Sequence, residues 1–541
     1  EEADFNVLIR WGKYRKKEEI NQDGRKKVLY VRDAKEEKIP FNYSMLENGK
    51  KEFLVAEHLK LVIICRNIKN TNNLLFSVFL RNISTNKGDA FFQVELEIFN
   101  SEGKAIFIAE NIARPQLSKQ PFEEFIYRNK PTFAKGFGCA ASWEAKNEKQ
   151  AYRLKTEFIP THEVNKMKTE LPYSQKYGDI PENFLSIKYF SEETNQQKVI
   201  ARLNNLADRY EEWINSLSLY EIAEQDQAKQ NIDDCRFALR RIRNGIQLLN
   251  DQKVFDAFVF MNKVMHVQSA MKAFSKNKTS LEEEIRKEHF NWRPFQIAFI
   301  LLNLEGIVNP QSNDRKIVDL LWFPTGGGKT EAYLGLAAFL LGYRRLSATM
   351  EQHFEKDGGV TIFIRYTLRL LTTQQRDRLL RMICACEYIR QTDPKKRIGK
   401  SEYSVGFWVG SQVTVNELKE LTVSNYKSEE NVKADYKKLE RQIISCPCCG
   451  SNDLVYKMLP NEDINTKKEG FRIFCSNDRC HFSQTHIPVY LIDEEIYRRL
   501  PTVVISTVDK FARLPWDERT AALFGKVDRY CERCGYIANG E

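Results

Sequence analysis

The stretch FPTGGGKT, residues 323–330, carries the clearest chemical signal in the sequence. It lies between an apolar run at 317–322 and an amphipathic run at 331–341, an order that predicts a strand, a phosphate-binding loop and a helix. Glycines let the backbone turn its N–H groups around a β-phosphate, and the following helix adds the positive end of its dipole. The alternative is a Gly-rich turn without a ligand, but the flanking strand and helix favour a nucleotide site.

Each polar residue of such a loop has its own task. Lys329 would bridge the β- and γ-phosphates and Thr330 would offer its hydroxyl to Mg²⁺, so we predict these two as the catalytic residues. The usual pattern has Gly where Phe323 stands. The predicted cofactor-binding residues, for ATP with Mg²⁺, are Phe295, Gln296, Thr325, Gly326, Gly327, Gly328, Lys329, Thr330 and Glu331.

Gln296 is included because it lies near the start of a predicted helix that opens with Arg293-Pro294-Phe295. Its amide has a donor and an acceptor, which can satisfy both edges of an adenine base. The neighbouring aromatic ring and the position before Lys329 support adenine as the base.

Length and charge set the broad class of protein. A chain of 541 residues is too long for one core, so three or four domains are expected. The formal net charge of +10 is compatible with a polyanionic partner, although a solvated basic surface is the alternative. The acidic N-terminus has no apolar segment behind it, and the run at 334–341 is too short to cross a bilayer. These features predict a cytoplasmic protein.

The first part of the chain has strand periodicity. Apolar residues at 92, 94, 96 and 98 alternate with polar ones, as in a half-buried strand. The runs at 27–31, 61–65 and 75–80 look like further strands. We therefore predict a β-rich N-terminal domain over 1–190, either a sandwich or a curved sheet, without a catalytic constellation.

Residues 191–285 are predicted to form a helical region. An apolar stripe with spacings of four, three, four and three predicts a helix-packing face; its members are Cys235, Leu239, Ile242, Ile246 and Leu249. Arg240, Arg241 and Arg243 lie away from the stripe. We interpret them as solvent-exposed surface charges rather than as contacts to nucleic acid.

Residues 286–541 are predicted to form a RecA-like parallel-sheet ATPase domain, which makes the whole chain an α/β multi-domain protein. Buried strands are expected at 360–364, 404–408 and 503–507. Polar residues at the carboxyl ends of parallel strands face the crevice where ligands bind. The predicted nucleic-acid contacts are Thr367, Arg369, Gln375, Gly410, Thr507 and Lys510.

A cysteine-rich insert at about 440–490 predicts a zinc ribbon. Two thiolate pairs on two turns can close a tetrahedron around Zn²⁺, and four thiolates leave no position for water, so the site would be structural. The preferred ligands are Cys446, Cys449, Cys475 and Cys480, with Cys448 spare. Reduced core cysteines are the alternative. Further candidates for DNA contact in the insert are Lys467, Lys468 and Arg472.

Cys531 and Cys534 form a second half-site. The other ligands of this half-site are left open. They would lie elsewhere, or Cys531 and Cys534 would compete with Cys475 and Cys480 for the first metal.

In the order Gln296, 324–330, 367–375, Gly410 and 506–510, the chain resembles the first RecA-like domain of superfamily 2 helicases over about 290–515. More narrowly, 323–334 and 507–512, with the cysteine-rich insert between them, resemble the DrmA family, the helicase-like components of bacterial DISARM antiphage systems. The resemblance implies an ATP-driven, DNA-binding motor that works beside a DrmB-like partner subunit.

The carboxylates that such motors use for hydrolysis are not evident. The sequence LIDEE at 491–495 is a candidate for the motif that carries these carboxylates. However, helicases place that motif after the strand that corresponds to the one with Ser506 and Thr507. We therefore expect Asp493 to begin a helix or lie in a connector. Neither another strand ending in Asp-Glu nor a second RecA-like domain is recognised before Glu541. The chain is thus predicted to be the N-terminal part of a longer protein that does not turn over ATP by itself.

Two other functions remain open at this point. One is a scaffold in which nucleotide and zinc organise a nucleic-acid-binding surface without unwinding. The other is a P-loop enzyme of small-molecule metabolism, against which the nucleic-acid-facing motifs and the zinc ribbon count.

Overall fold

The protein is a mixed α/β chain with several sheets and helices. Its computed structural model describes residues 4–20, 26–69, 71–86, 88–110, 130–161, 163, 171, 173–217, 225–277, 279–322, 327–348, 357–366, 373–410, 413–423, 428–459, 470–512, 514–531 and 535–538. The chain forms two compact units, one of residues 1–166 with 219–230 and one of 167–218 with 231–541. The predicted three-domain boundaries stay predictions.

The first unit is built from antiparallel strands. They are β1 (Phe5–Ile20), β2 (Lys26–Phe41), β3 (Lys50–Ala56), β4 (Leu59–Asn67), β5 (Leu74–Asn82), β6 (Phe92–Phe99), β7 (Phe107–Ile108), β8 (Ala140–Ala145) and β9 (Gln150–Glu157). One sheet has the order β2-β1-β6-β9-β7, with β8 also paired to β9, and the other has the order β3-β4-β5. The strands predicted at 27–31, 61–65, 75–80 and 92–98 are confirmed.

The two sheets of this unit share one core because inward-facing and outward-facing side chains alternate along their strands. Phe5, Val7, Ile9 and Trp11 of β1 are buried, and they cluster with apolar side chains of β4. Successive side chains of a strand point to opposite faces, so one face of each sheet can be wholly apolar.

The second unit begins with helices. They are α1 (Ile187–Glu192), α2 (Gln196–Ser216), α3 (Gln225–Leu248, in this unit from 231 on), α4 (Gln252–Phe274), α5 (Leu281–Arg286) and α6 (Pro294–Val308). α4 is largely buried, with apolar side chains over most of its circumference, as expected of a helix at the centre of a core. The predicted stripe on α3 is confirmed, since Leu239, Ile242 and Ile246 are buried.

The prediction that Arg241 is a solvent-exposed surface charge is wrong. Its guanidinium lies 2.9 Å from a carboxylate oxygen of Asp314 and 2.6 Å from one of Asp319, and the residue is buried. A planar guanidinium can serve two carboxylates at once, so an arginine off the apolar stripe can still be buried when such partners exist. This pair fixes the chain just before the phosphate loop to α3.

A four-stranded parallel sheet follows, with the order β10-β15-β11-β14. Its strands are β10 (Ile362–Tyr366), β11 (Val405–Trp408), β14 (Val489–Tyr490) and β15 (Val503–Thr507). The helices of this region are α7 (Lys329–Leu346), α8 (Thr373–Thr392), α9 (Glu429–Glu440), α10 (Asp493–Arg499) and α11 (Val508–Phe511). β11 and β15 are completely buried, as expected of strands covered on both faces.

Two hairpins complete this unit. β12 (Leu454–Leu459) pairs with β13 (Gly470–Cys475) in the predicted insert, and β16 (Val527–Cys531) pairs with β17 (Gly535–Ala538). Among the described helices of the chain, none joins the length to the apolar character that crossing a membrane requires.

The strand predicted at 317–322 is not formed. The segment pairs with none of the described strands, and Val318, Leu320 and Trp322 are 95%, 86% and 76% exposed. An apolar run becomes a strand only when a neighbouring backbone accepts its hydrogen bonds. The composition of the run is visible in the sequence, whereas the presence or absence of such a neighbour is not.

Arg472, predicted as a DNA contact, is buried on β13. Its guanidinium lies 2.6 Å from a carboxylate oxygen of Glu495 on α10, and both side chains are at most 2% exposed. That prediction is therefore wrong, because the charge is already paired inside the protein. Lys467 and Lys468 lie outside the described residues.

Glu402 lies in a second charged cluster beside this pair. His486 Nε2 lies 2.7 Å from the carboxylate, and the Tyr490 hydroxyl donates to it over 2.9 Å. Burial opposes ionisation of this carboxyl, but His486, Arg472 and Tyr490 outweigh burial and lower the pKa of Glu402 to about 2.

Glu402→Gln should therefore reduce the dependence of stability on acid. A folded-state pKa below the unfolded value of 4.5 contributes stability that is complete above pH 4.5 and is lost as the pH falls toward 2. In denaturant titrations from pH 6 to pH 2, we expect the wild type to lose about 3 kcal/mol more than the variant. Glu430→Gln, an exposed change on α9, should follow the wild-type curve; parallel curves for Glu402→Gln would contradict the assignment.

Candidate functional site

The helix predicted after the phosphate loop is α7, and it begins at Lys329. Gly328 precedes it with φ at +82°, a left-handed conformation that glycine adopts without a side-chain clash. Lys329, Thr330 and Glu331 therefore form its first turn, and Thr330 is buried. Phe323, Thr325 and Gly326 lie outside the described residues.

The start of α6 holds the two described glycines of the loop. Arg293 Nη1 donates to the carbonyl of Gly327 over 2.7 Å, and Gln296 Nε2 donates to the carbonyl of Gly328 over 2.8 Å. In a trans peptide the C=O and the following N–H point in opposite directions. The N–H groups of Gly328 and Lys329 therefore point away from α6. The loop backbone and the N-terminus of α7 thus present N–H groups on the side away from α6, an arrangement that could bind an anion.

Gln296 lies behind the loop. Its amide oxygen accepts from the N–H of Arg293 over 2.8 Å while its amide nitrogen donates to Gly328, and the side chain is completely buried. The structure thus gives this amide a positioning role toward the loop. Its predicted contact with adenine, like that of half-buried Phe295 beside it, stays a prediction.

Three elements are tied together beside α7. The Tyr333 hydroxyl lies 2.9 Å from the Tyr366 hydroxyl at the end of β10, and it donates to Gln375 Oε1 on α8 over 3.0 Å. Two residues earlier on α7, Glu331 lies 3.2 Å from Arg378 of α8. Two residues predicted as ligand contacts, Glu331 and Gln375, therefore also link α7 to α8.

The carboxyl ends of β10, β11 and β15 lie on one edge of the sheet because these strands are parallel. Gly410 follows β11 and Thr507 ends β15, so both lie along the predicted edge. Thr507 is nevertheless buried. Thr367 and Arg369, which follow β10, lie outside the described residues.

Lys510 does not face solvent. Its ammonium group pairs with the Asp493 carboxylate, lies 6.0 Å from the centre of the Trp408 ring, and is buried with that residue. Burial raises the pKa of Asp493, although Lys510 works in the opposite direction. Asp493 is the first residue of α10, as predicted. For Lys510 to reach a phosphate, this ion pair would have to open.

The insert brings four cysteines together. The sulfur atoms of Cys446, Cys449, Cys475 and Cys480 all lie within 4.8 Å of one another. Gly450 follows the first pair with φ at +74°, and its N–H donates to the carbonyl of Cys446 over 2.8 Å. Such a turn lets two cysteines of one short loop face the same point, so this group could hold a metal ion.

Other cysteines and histidines of this region, whose side chains are also of a type that binds metal, do not join the group. Cys448 is buried but does not belong to the group. His481 lies 2.7 Å from Gln391, and His486 lies beside Glu402. Cys531 ends β16, while its predicted partner Cys534 lies outside the described residues.

The comparisons with known proteins agree with the resemblance seen in the sequence. No protein-family model matches the chain. It is 56% identical over 546 aligned positions to DISARM protein DrmA of Bacillus paralicheniformis. The sequence is DrmA-like. The alignment covers 99% of this chain and 48% of DrmA, so the chain spans about half the length of that curated relative.

Sequence reasoning missed Arg293, Tyr333 and Tyr366. Arg293 has a local signal, because an N-cap residue just before Pro294 is fixed at the start of a helix. The two tyrosines carry no such signal, since their spacing is that of ordinary half-buried aromatics.

Gly328→Ala should loosen the contact between α6 and the loop. A Cβ at this position would lie 2.7 Å from Gln296 Nε2, and the left-handed backbone disfavours any side chain. We expect a loss of about 1–2 kcal/mol in the free energy of unfolding, measured by denaturant titration. Gly410→Ala is the matched control, because a Cβ there meets no atom of the described residues within 4 Å. Equal stability of the two variants would contradict the described loop conformation.

Proposed function

We propose that this chain is the ATP- and DNA-binding part of a superfamily 2 helicase or translocase that acts in bacterial antiphage defence. The observation that carries the proposal is the hold of Arg293 and Gln296 on the glycines that precede α7. The similarity to DISARM protein DrmA supports the defence role. By the same resemblance, a DrmB-like subunit is the proposed partner.

ATP would be held by its phosphates at the start of α7. The N–H groups that point away from α6 and the positive end of the helix dipole would face the β-phosphate. Lys329 would neutralise the β- and γ-phosphates, and the Thr330 hydroxyl would bind Mg²⁺, which stabilises the charge that develops on the transferred phosphoryl group.

DNA would lie along the carboxyl edge of the parallel sheet, where β10 and β15 end. Tyr333 connects this edge to the phosphate loop, because it lies on α7 and contacts Tyr366 and Gln375. The Tyr366 hydroxyl can donate in this network at neutral pH, as any tyrosine can, and burial, reinforced by Tyr333, raises its pKa further above the ordinary value. We propose that nucleotide and DNA influence each other through these contacts.

A scaffold without unwinding activity is the second candidate. The buried ion pair of Lys510 and Asp493 favours it, because this pair withholds one of the proposed DNA contacts. ATPase activity that DNA stimulates, measured in the complete protein, would separate a motor from a scaffold.

Lys329→Ala should abolish nucleotide binding while DNA binding persists. The ammonium group is the main positive charge proposed for the β- and γ-phosphates. We would measure binding of labelled ATP with Mg²⁺ and of single-stranded DNA by the 541-residue chain across a salt series. Lys316→Ala, which removes an exposed lysine near the same loop, is the control. If Lys329→Ala bound ATP as tightly as the control, the proposed nucleotide site would be wrong.

We further propose that the four-cysteine group holds a structural Zn²⁺. Its donor set suits this ion, because four thiolates complete a tetrahedral site and leave no position for a reacting water. A bound ion would join the turn at Cys446 to the end of β13, and so hold two parts of the insert together.

Cys475→Ser should remove this metal. We expect about one zinc per chain in the purified wild type by elemental analysis, and a strong loss of zinc together with a lower melting temperature in the variant. Cys448→Ser changes a neighbouring buried thiol and should keep the zinc. Zinc-free wild-type protein of the same stability, or zinc lost only from Cys448→Ser, would contradict the assignment.

A further inference from the structure

The longest hairpin of the first unit extends beyond its sheet. β1 pairs with β2 along its whole length, but it pairs with β6 only between Asn6 and Gly12. Among the described strands, residues 13–20 and 26–33 therefore pair their backbones only with each other, and we refer to them as the basic hairpin. Eight residues per strand correspond to about 27 Å. An isolated two-stranded hairpin is marginally stable in water, so such an extension needs a reason.

The root of the basic hairpin is fixed to the sheet. The Tyr14 ring meets the Phe92 ring edge to face at 5.0 Å, and Gln93 Nε2 donates to the Tyr14 hydroxyl over 3.0 Å. Both partners lie at the start of β6. These contacts hold the direction in which the hairpin leaves the sheet.

The basic hairpin carries seven Lys or Arg residues and three Asp or Glu residues. Some of these charges are paired internally, as in Lys17 with Glu19 at 2.9 Å and Lys26 with Glu18 at 3.6 Å. Arg15, Lys16 and Arg32 are exposed and make no ion pair within the described parts of the chain. The net charge of the basic hairpin is therefore positive and lies on solvent-exposed side chains.

This positive charge lies on both faces of the hairpin. Tyr14 is opposite Arg32, and Lys16 is opposite Tyr30, so these four side chains share one face. Arg15 points to the other face. Apolar groups accompany the charge, since Tyr30 is 63% exposed. A flat partner would use one face only, whereas the walls of a groove contact both.

We propose that the basic hairpin inserts into the major groove of duplex DNA. A two-stranded β-ribbon fits this groove, which is about 12 Å wide, and the phosphates along its walls complement the surplus charge. The deep, narrow major groove of an A-form RNA duplex would not admit it. The inference rests on the proposed function for the choice of DNA, and it adds a duplex contact in the first unit.

The test compares two triple variants of the whole 541-residue chain. One is Arg15→Gln, Lys16→Gln and Arg32→Gln in the basic hairpin. The control is Arg66→Gln, Arg81→Gln and Lys146→Gln, which removes the same two Arg and one Lys from other exposed positions of the first unit. All six side chains are exposed, so both variants should fold, and circular dichroism would verify this.

Binding would be measured without nucleotide, from 50 to 200 mM salt, to a 30-base-pair DNA duplex, to one of its strands and to an RNA duplex of the same sequence. We expect the hairpin variant to bind the DNA duplex about tenfold or more weakly, with a slope of log affinity against log salt that is smaller by about 2 to 3. The control should keep the wild-type slope. Binding of the single strand and of the RNA duplex should change much less.

Three results would overturn the proposal. They are wild-type duplex binding by the hairpin variant, the same loss in the control, and an equal loss for single-stranded DNA. Because nucleotide is absent from these binding measurements, a failure of ATP binding at Lys329 would contradict the proposed motor function without affecting the interpretation of duplex binding. If the chain binds ATP but gives any of the three results, only the proposed contact between the basic hairpin and DNA would be contradicted.

Discussion

The direction of two peptide groups governs the candidate nucleotide site. Arg293 and Gln296 hold the carbonyls of Gly327 and Gly328, so the next N–H groups must face the other way. Everything proposed for phosphate binding depends on this orientation, because a loop with its carbonyls turned toward the ligand would repel an anion. The helix dipole of α7 then acts in the same direction.

The helical core sets the position of these two side chains. Trp292, next to Arg293, donates its indole N–H to Asn262 of α4 over 2.8 Å, and both residues are buried. On α7, a Cβ at Gly335 would lie 2.7 Å from the Trp292 ring. Close packing of α6 and α7 therefore requires a glycine there, and the geometry of the candidate nucleotide site depends on contacts between side chains that lie outside it.

Buried charge pairs link the insert and the sheet. Arg472 of β13 meets Glu495 of α10, and Asp493 of α10 meets Lys510 of α11. Removing one partner of a buried pair leaves an uncompensated charge, which is strongly destabilising. These pairs account for basic residues that the sequence alone assigns to nucleic acid. A charge on a predicted strand or helix start has the same sequence signature whether its partner is a phosphate or a carboxylate distant in the chain.

The sequence by itself determined what local chemistry dictates. The alternation in β6, the stripe on α3, the presence of a helix directly after the glycine loop and the choice of four cysteines over Cys448 all follow from spacing, because the side-chain patterns of strands, helices and metal-binding turns extend over only a few residues. Tertiary structure alone decided the rest. It left 317–322 without a partner among the described strands, buried Arg241 and Lys510 against distant carboxylates, and joined Tyr333 to Tyr366 and Gln375. The physical reason is that each of these outcomes needs a specific neighbour, and a neighbour tens of residues away leaves no periodic trace in the sequence.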